Sequence, residues 1–346
     1  MEKYSIYDYS RKHLEELLLS LGEKKFRATQ IYEAIYRENK VSFEDILTLS
    51  KLSRISLANY FEFNTLEIKD IKISSDGTTK FLFSLNDGNL IETVLMPHDY
   101  GDSVCVTTQV GCNMGCKFCA SGQLKKIRDL KTSEIVLQVV LVNRYLLSKS
   151  RRVSHVVVMG IGEPFENYDN VMEFIQIIND SRGLEIGARH ITLSTCGLVN
   201  KIEEFSTFPL QVNLAISLHF ANDEKRSTYM PINKKYNLHT LFEAINNYYL
   251  KTNRRVTLEY ILLKGINDSI DDAKELVELI NGLNCYVNLI PYNETSGEFL
   301  RTTTTARDKF FDYLIKNNIN CVVRKEFGHD IDAACGQLRA KAMNNK

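Results

Sequence analysis

The chain has 346 residues, and 43 Lys+Arg balance 43 Asp+Glu, so the formal net charge is zero with His neutral. Charged residues make up 25% and hydrophobic residues 44%, which excludes wholesale disorder. Neutrality excludes a general polycation but not a local basic site, and the length allows one large domain with a small one attached.

The opening MEKYSIYDYSRK carries neither an apolar h-region nor a small-residue cleavage site. No run reaches the roughly 18 apolar residues of a membrane span. The richest, Ile135 to Val142, is interrupted by Gln138. A cytoplasmic protein without a membrane partner is expected. Residues 1–62 read as a helical accessory module. Leu14, Leu17, Leu18 and Leu21 keep helical spacing, and Ile31, Ile35 and Tyr36 continue it. Ten basic and nine acidic residues in the first sixty mean that this module is not a basic arm. Residues 63–100 read as a small antiparallel extension, with turns at Ser75-Asp76-Gly77 and Asn86-Asp87-Gly88.

From 101 to 346 short β-branched runs alternate with helical stretches. The runs are 104–108, 153–159, 191–195, 212–218, 256–262, 286–290 and 321–324, and the helices lie near 132–148, 169–180, 238–250, 270–281 and 305–317. Thr132-Ser133 with Glu134, and Asp268-Ser269, read as helix starts. Such alternation predicts an α/β fold with a parallel sheet. Six or seven units are too few for a closed eight-fold barrel, so a partial (β/α)6 barrel fits.

Eight cysteines in a chain without a secretory signal point to metal or redox chemistry over disulfide scaffolding. Cys112, Cys116 and Cys119 form C-x3-C-x2-C directly after the first barrel strand. Three thiolates on one loop can hold three corners of an iron–sulfur cubane and leave one iron open. The bland alternative is zinc, which in structural sites takes four protein ligands, typically from two pairs; no second pair is present. Cys196, Cys285 and Cys321 read as packing residues on or beside strands.

Several longer stretches join this motif. They are Ser103–Cys112 (SVCVTTQVGC), Gly160-Ile161-Gly162-Glu163-Pro164, Met230-Pro231-Ile232-Asn233, Arg27–Tyr32 (RATQIY) and Phe327–Gln337 (FGHDIDAACGQ). With them, essentially the whole chain resembles the RlmN/Cfr family of radical S-adenosylmethionine (SAM) RNA adenine methyltransferases.

The resemblance implies a radical SAM barrel in which Cys112, Cys116 and Cys119 hold a 4Fe–4S cluster. Two SAM molecules are used per turnover. It matches Gly162, Glu163, Ser194, Ser217, Leu218, His219 and Asn293 to SAM contacts. It makes Cys335 the residue that is S-methylated and then, as a carbon radical, adds to adenine. Cys105 becomes the thiol that releases product through a transient disulfide with Cys335, and Glu92 the proton acceptor. Taken singly, the SAM residues read as strand-end caps or turns, Cys105 as a small buried strand residue, Cys335 as an incidental near-terminal cysteine and Glu92 as a solvated strand carboxylate.

The implied substrates are 23S rRNA at the peptidyl transferase centre and tRNA at position 37, methylated at adenine C2. The implied partners are these RNAs and a flavodoxin or ferredoxin as electron donor, and the enzyme is expected to act as a monomer. Pro164 favours this branch over the C8-methylating antibiotic-resistance branch, which commonly has Ala there. A zinc-stabilised RNA-binding module without catalysis is the alternative from another class. For RNA contact, Lys117, Lys125, Lys126, Arg128 and Lys131 face only Asp129 within residues 117–131; a phosphate-binding rim and a solvated charged loop both fit.

Overall fold

The computed structural model describes residues 3–294 and 298–331. Its centre is a ten-stranded mixed sheet in which every strand pairs with its neighbours in sequence. An antiparallel meander opens it: β1 (Glu67–Ile73), β2 (Thr79–Ser84) and β3 (Leu90–His98). The hairpin glycines Gly77 and Gly88 take the left-handed backbone (φ 85° and 79°) that these turns require. β3 then pairs antiparallel with β4 (Gly101–Cys105).

From β4 onward all pairing is parallel. The strands are β5 (Val153–Val158), β6 (Ile191–Thr195), β7 (Asn213–Ser217), β8 (Val256–Leu262), β9 (Cys285–Pro291) and β10 (Cys321–Val323). Parallel strands lie between helices and bury both faces, so they read as nearly continuous apolar runs. Leu214, Ala215 and Ile216 show this, all being buried. The outer strands β1 and β10 do not pair with each other, so the sheet stays open.

Three helices form the N-terminal module: α1 (Arg11–Ser20), α2 (Arg27–Tyr36) and α3 (Lys51–Tyr60). Tyr4–Ser5 pairs with Phe61–Glu62 and closes it. Between the sheet strands run α4 (Thr132–Leu147), α5 (Tyr168–Asn179), α6 (Val199–Phe205), α7 (Asp223–Tyr229), α8 (Leu238–Thr252), α9 (Ile270–Leu279) and α10 (Thr304–Lys316). None of the described helices is long and apolar enough to cross a membrane.

The start of α9 is as expected, with Ser269 as N-cap and Asp272 answering it. The start of α4 differs. Its cap position is Lys131, whose backbone N–H donates to the Glu134 carboxylate at 2.8 Å. The Ser133 N–H donates instead to Asp8 of the N-terminal segment at 2.7 Å. A carboxylate distant in sequence replaces the local hydroxyl cap because the module packs against this helix. Ile6, Leu14, Leu18 and Ile35 belong to the same apolar cluster as Val136, Val139 and Phe174.

Candidate active site

A cavity of about 350 Å³ opens where the C-terminal ends of the parallel strands meet. Of the expected site residues it is lined by Cys105, Cys112, Cys116, Cys119, Gly162, Glu163, Ser194, Ser217, His219 and Asn293. These come from five different strand ends, the usual location of chemistry in such folds. Leu218 is buried behind them and does not line the cavity. Glu92 also lies outside the lining. It is buried on β3 at two-residue spacing from Val94 and Met96, which do line it. Cys335 lies outside the described residues.

The cysteine loop is fixed by its backbone. The Cys112 N–H donates to Leu124 O (2.9 Å) and the Lys117 N–H to Tyr229 O (3.0 Å). Gly122 packs so closely that a Cβ there would meet Cys116 O at 2.6 Å. Met114, Cys116 and Cys119 pack against Phe118, Phe220, Met230 and Tyr292, which keeps the loop in apolar surroundings. Burial pushes the Cys112 thiol up to about 12. Burial, then Cys119 and Cys112 as neighbours, raises Cys116 as well. Bound iron reverses this, because thiolate is the ligand form. Among the described residues no three His, Cys, Asp or Glu side chains converge as ligands of a single ion. Three thiols on one cavity wall instead suit a cluster that takes each on a different iron and leaves the fourth open.

Glu163 is completely enclosed. Burial raises its pKa, opposed by the donors around it. One oxygen accepts from the Phe165 N–H (3.0 Å) and the other from the Cys196 N–H (2.8 Å). Its own N–H donates to the Gln109 side-chain oxygen at 2.9 Å. Gly162 permits this approach, since a Cβ there would lie 2.6 Å from Gln109 Cβ. A buried carboxylate on the wall of a mostly apolar cavity suits the ammonium group of SAM. The Ser194 and Ser217 hydroxyls lie 3.3 Å apart beside it.

His219 is buried, and its Nδ1 accepts from the Ile261 N–H at 3.2 Å. Burial, then the Arg226 charge, lowers its pKa to about 3, so the ring is neutral and Nε2 carries the proton. Phe118 meets the ring edge-on at 5.1 Å.

Sequence reasoning missed three residues here. Arg226 is 1% exposed and donates to Leu218 O (3.1 Å), Cys196 O (2.7 Å) and Asn233 Oδ1 (2.8 Å). Gln109 orients Glu163. Gln138, within the apolar run of α4, accepts from the Thr107 N–H (2.8 Å) and donates to Thr107 O (2.9 Å). Thr107 in turn donates to Glu92 O at 2.7 Å. A buried polar side chain at an otherwise apolar position was the available signal for Gln138. Cys196, expected as a packing residue, is buried but lines the cavity itself.

The expected basic rim is smaller than a local count suggests. Lys126 pairs with Asp129 (2.9 Å) and Glu166 (3.3 Å). Arg128 pairs with Asp87 (2.6 Å) and with both oxygens of Glu134 (2.7 and 2.8 Å). Asp87, Glu134 and Glu166 lie outside residues 117–131, and the fold brings them in. Lys117, Lys125 and Lys131 form no ion pair among the described residues.

An open parallel sheet with a cysteine trio at its first strand end, and a buried carboxylate at the next, defines a radical SAM protein. The model of the Radical SAM superfamily matches residues 106–280. The model of the ribosomal RNA large subunit methyltransferase N-terminal domain matches residues 4–63. A probable dual-specificity RNA methyltransferase RlmN of Spiroplasma citri is 57% identical, covering 97% of both chains. The protein of that name from Listeria monocytogenes is 55% identical over 99% of this chain and 95% of its own. A crystal structure of a radical SAM methyltransferase from Sphaerobacter thermophilus superposes with a TM-score of 0.91 at 41% identity, over 96% of this chain and 98% of that one. The chain belongs to the RlmN family of radical SAM methyltransferases. A 4Fe–4S cluster and SAM are its cofactors.

Proposed function

We propose that the chain methylates C2 of an adenine in 23S rRNA and in tRNA through an S-methylated Cys335. Cys112, Cys116 and Cys119 would hold the cluster, and Glu163, Ser194, Ser217, His219 and Asn293 would seat SAM. When bound, these groups supply reductive cleavage of SAM to a carbon radical.

The observation that carries this reading is the position of Cys105. It shares the cavity with the three cluster cysteines and packs against Phe327, at the start of the segment that leads to Cys335. A thiolate in that place can attack the Cys335 sulfur; the S–S bond forms as the sulfur–methylene bond breaks, and the electron pair left on the carbon takes a proton, giving a methylated base. Glu92 is the proton acceptor in this reading, supported by its burial on the strand that pairs with the Cys105 strand. Pro164 supports C2 over C8 chemistry.

Residues 1–62 would recognise RNA, 63–100 extend the sheet and 101–346 form the catalytic core. A flavodoxin or ferredoxin would supply electrons to a cytoplasmic monomer.

The test is anaerobic reconstitution followed by mass spectrometry of rRNA and tRNA fragments. SAM-dependent 2-methyladenine is expected. Its absence with an intact cluster, or methylation at C8, would overturn the reading. Cys335→Ala should abolish turnover. Cys105→Ala should accumulate a covalent protein–RNA adduct, seen as a shifted band after denaturing electrophoresis.

A further inference from the structure

After β10 the chain crosses from one edge of the sheet to the other. Arg324, Lys325, Glu326 and Phe327 line the cavity, and the segment 328–331 rests against the turn between β1 and β2. Two carboxylates hold it there reciprocally. Asp76, in the turn, accepts from the Gly328 N–H at 2.9 Å and from the Thr78 N–H at 2.8 Å. Asp330, in the crossing segment, accepts from the Ser75 N–H at 3.0 Å and from the Ser74 hydroxyl. Burial opposes ionisation of Asp76, yet the Gly328, Thr78 and Ser74 donors together hold it down to about 2. Asp330 is lowered too, first by Ser74 and then by the Ser75 N–H. Gly328 has φ 61°, a left-handed turn into this contact. Upstream, Phe327 meets His98 edge-on at 4.6 Å, and Glu326 forms a paired bond with Arg301 (2.5 and 2.6 Å).

We propose that Asp76 and Asp330 form a positioning clasp, fixing the point from which the chain departs toward Cys335 and so its reach to the cavity beside Cys105. The proposal rests on the role given to Cys335 above. Cys335 is four residues beyond Ile331 and twelve beyond Val323, the last residue of β10. Four extended residues span at most about 14 Å, so the anchor at 330–331 limits where the thiol can go. Opening the clasp leaves the chain held at Glu326 and Phe327, eight residues before Cys335, and so doubles the tether. Effective concentration falls roughly as the −3/2 power of tether length, a loss of about threefold.

The experiment uses the cluster-loaded, full-length enzyme with SAM and without RNA. Methyl on Cys335 is followed by peptide mass spectrometry. The double variant Asp76→Ala/Asp330→Ala should load methyl about threefold more slowly, with iron content and SAM affinity as in wild type. The Gly328 amide should exchange faster with deuterium. Asp330→Asn, which keeps an oxygen acceptor, should recover most of the rate. With RNA present, the double variant should make more 5′-deoxyadenosine per methylated base than wild type. An unchanged loading rate in the double variant would overturn the clasp while leaving the proposed function standing. Absence of methyl on Cys335 in the wild-type enzyme would overturn both.

Discussion

His219 shows how one side chain reports its surroundings. Its backbone is left-handed (φ 58°), its Nδ1 accepts a backbone N–H, and its folded pKa is depressed from 6.5 to about 3. Between those values the unfolded chain binds a proton that the folded chain does not. Stability is therefore complete above pH 6.5 and falls as pH drops toward 3, by about 1.4 kcal/mol per pH unit from this group. His219→Asn is the informative variant. Asn tolerates the left-handed region, and its Oδ1 can replace Nδ1 as acceptor. Melting temperatures from pH 4 to 7 should show a shallower slope in the variant; an unchanged slope would place the titration elsewhere. At this scale the cysteine trio was plain in the sequence, because ligand spacing on one loop is a local property. Arg226 was not. It sits in the charged run Asp223-Glu224-Lys225-Arg226, which carries no local sign of burial, and only the tertiary fold turns one of those charges inward.

At the scale of elements, Arg226 joins three of them. Its guanidinium reaches Cys196 past the end of β6, Leu218 past the end of β7, and Asn233 in the Met-Pro-Ile-Asn stretch. Arg226→Ala would leave two carbonyls without this donor in a buried site, at about 1–3 kcal/mol each. Urea unfolding should show a loss of about 2–5 kcal/mol, together with weaker SAM binding from displaced strand ends. Loss of SAM binding without loss of stability would contradict the tie. The strand order and the longer helices were legible because period-2 and period-3.6 patterns persist over enough residues. The short helices α6 and α7 were not. Seven residues with mixed polarity carry too little periodic signal, and packing against neighbours decides their form.

At the scale of the whole molecule, the N-terminal module and the sheet share one apolar cluster. Polar ties reinforce the junction. Asp8 accepts from Ser133, Arg11 pairs with Asp180 at 3.0 Å, and Glu173 accepts from the Ser10 N–H at 2.5 Å. Deleting residues 1–62 should therefore give a core with lost near-ultraviolet circular dichroism and increased binding of a hydrophobic dye, the marks of loosened packing. A deletion that melts cooperatively near the wild-type temperature would show that the module is an appendage. Charge also changes meaning here. Zero net charge left room for a local basic rim, and the fold then neutralises Lys126 and Arg128 with carboxylates from elsewhere.

The sequence by itself determined the element order, the turns, the cysteine loop and, by the resemblance of its motifs, the family. Each of these is written in local spacing or in contiguous stretches of residues. Only the tertiary structure decided that Cys105, Glu163, Ser194, Ser217, His219 and Asn293 face one cavity, that Arg226 is internal, and that the Asp76 turn holds the segment leading to Cys335. Those contacts join residues separated by tens to hundreds of positions. Parallel strand register and the packing of the crossing segment bring them together, and neither leaves a local signature in the chain.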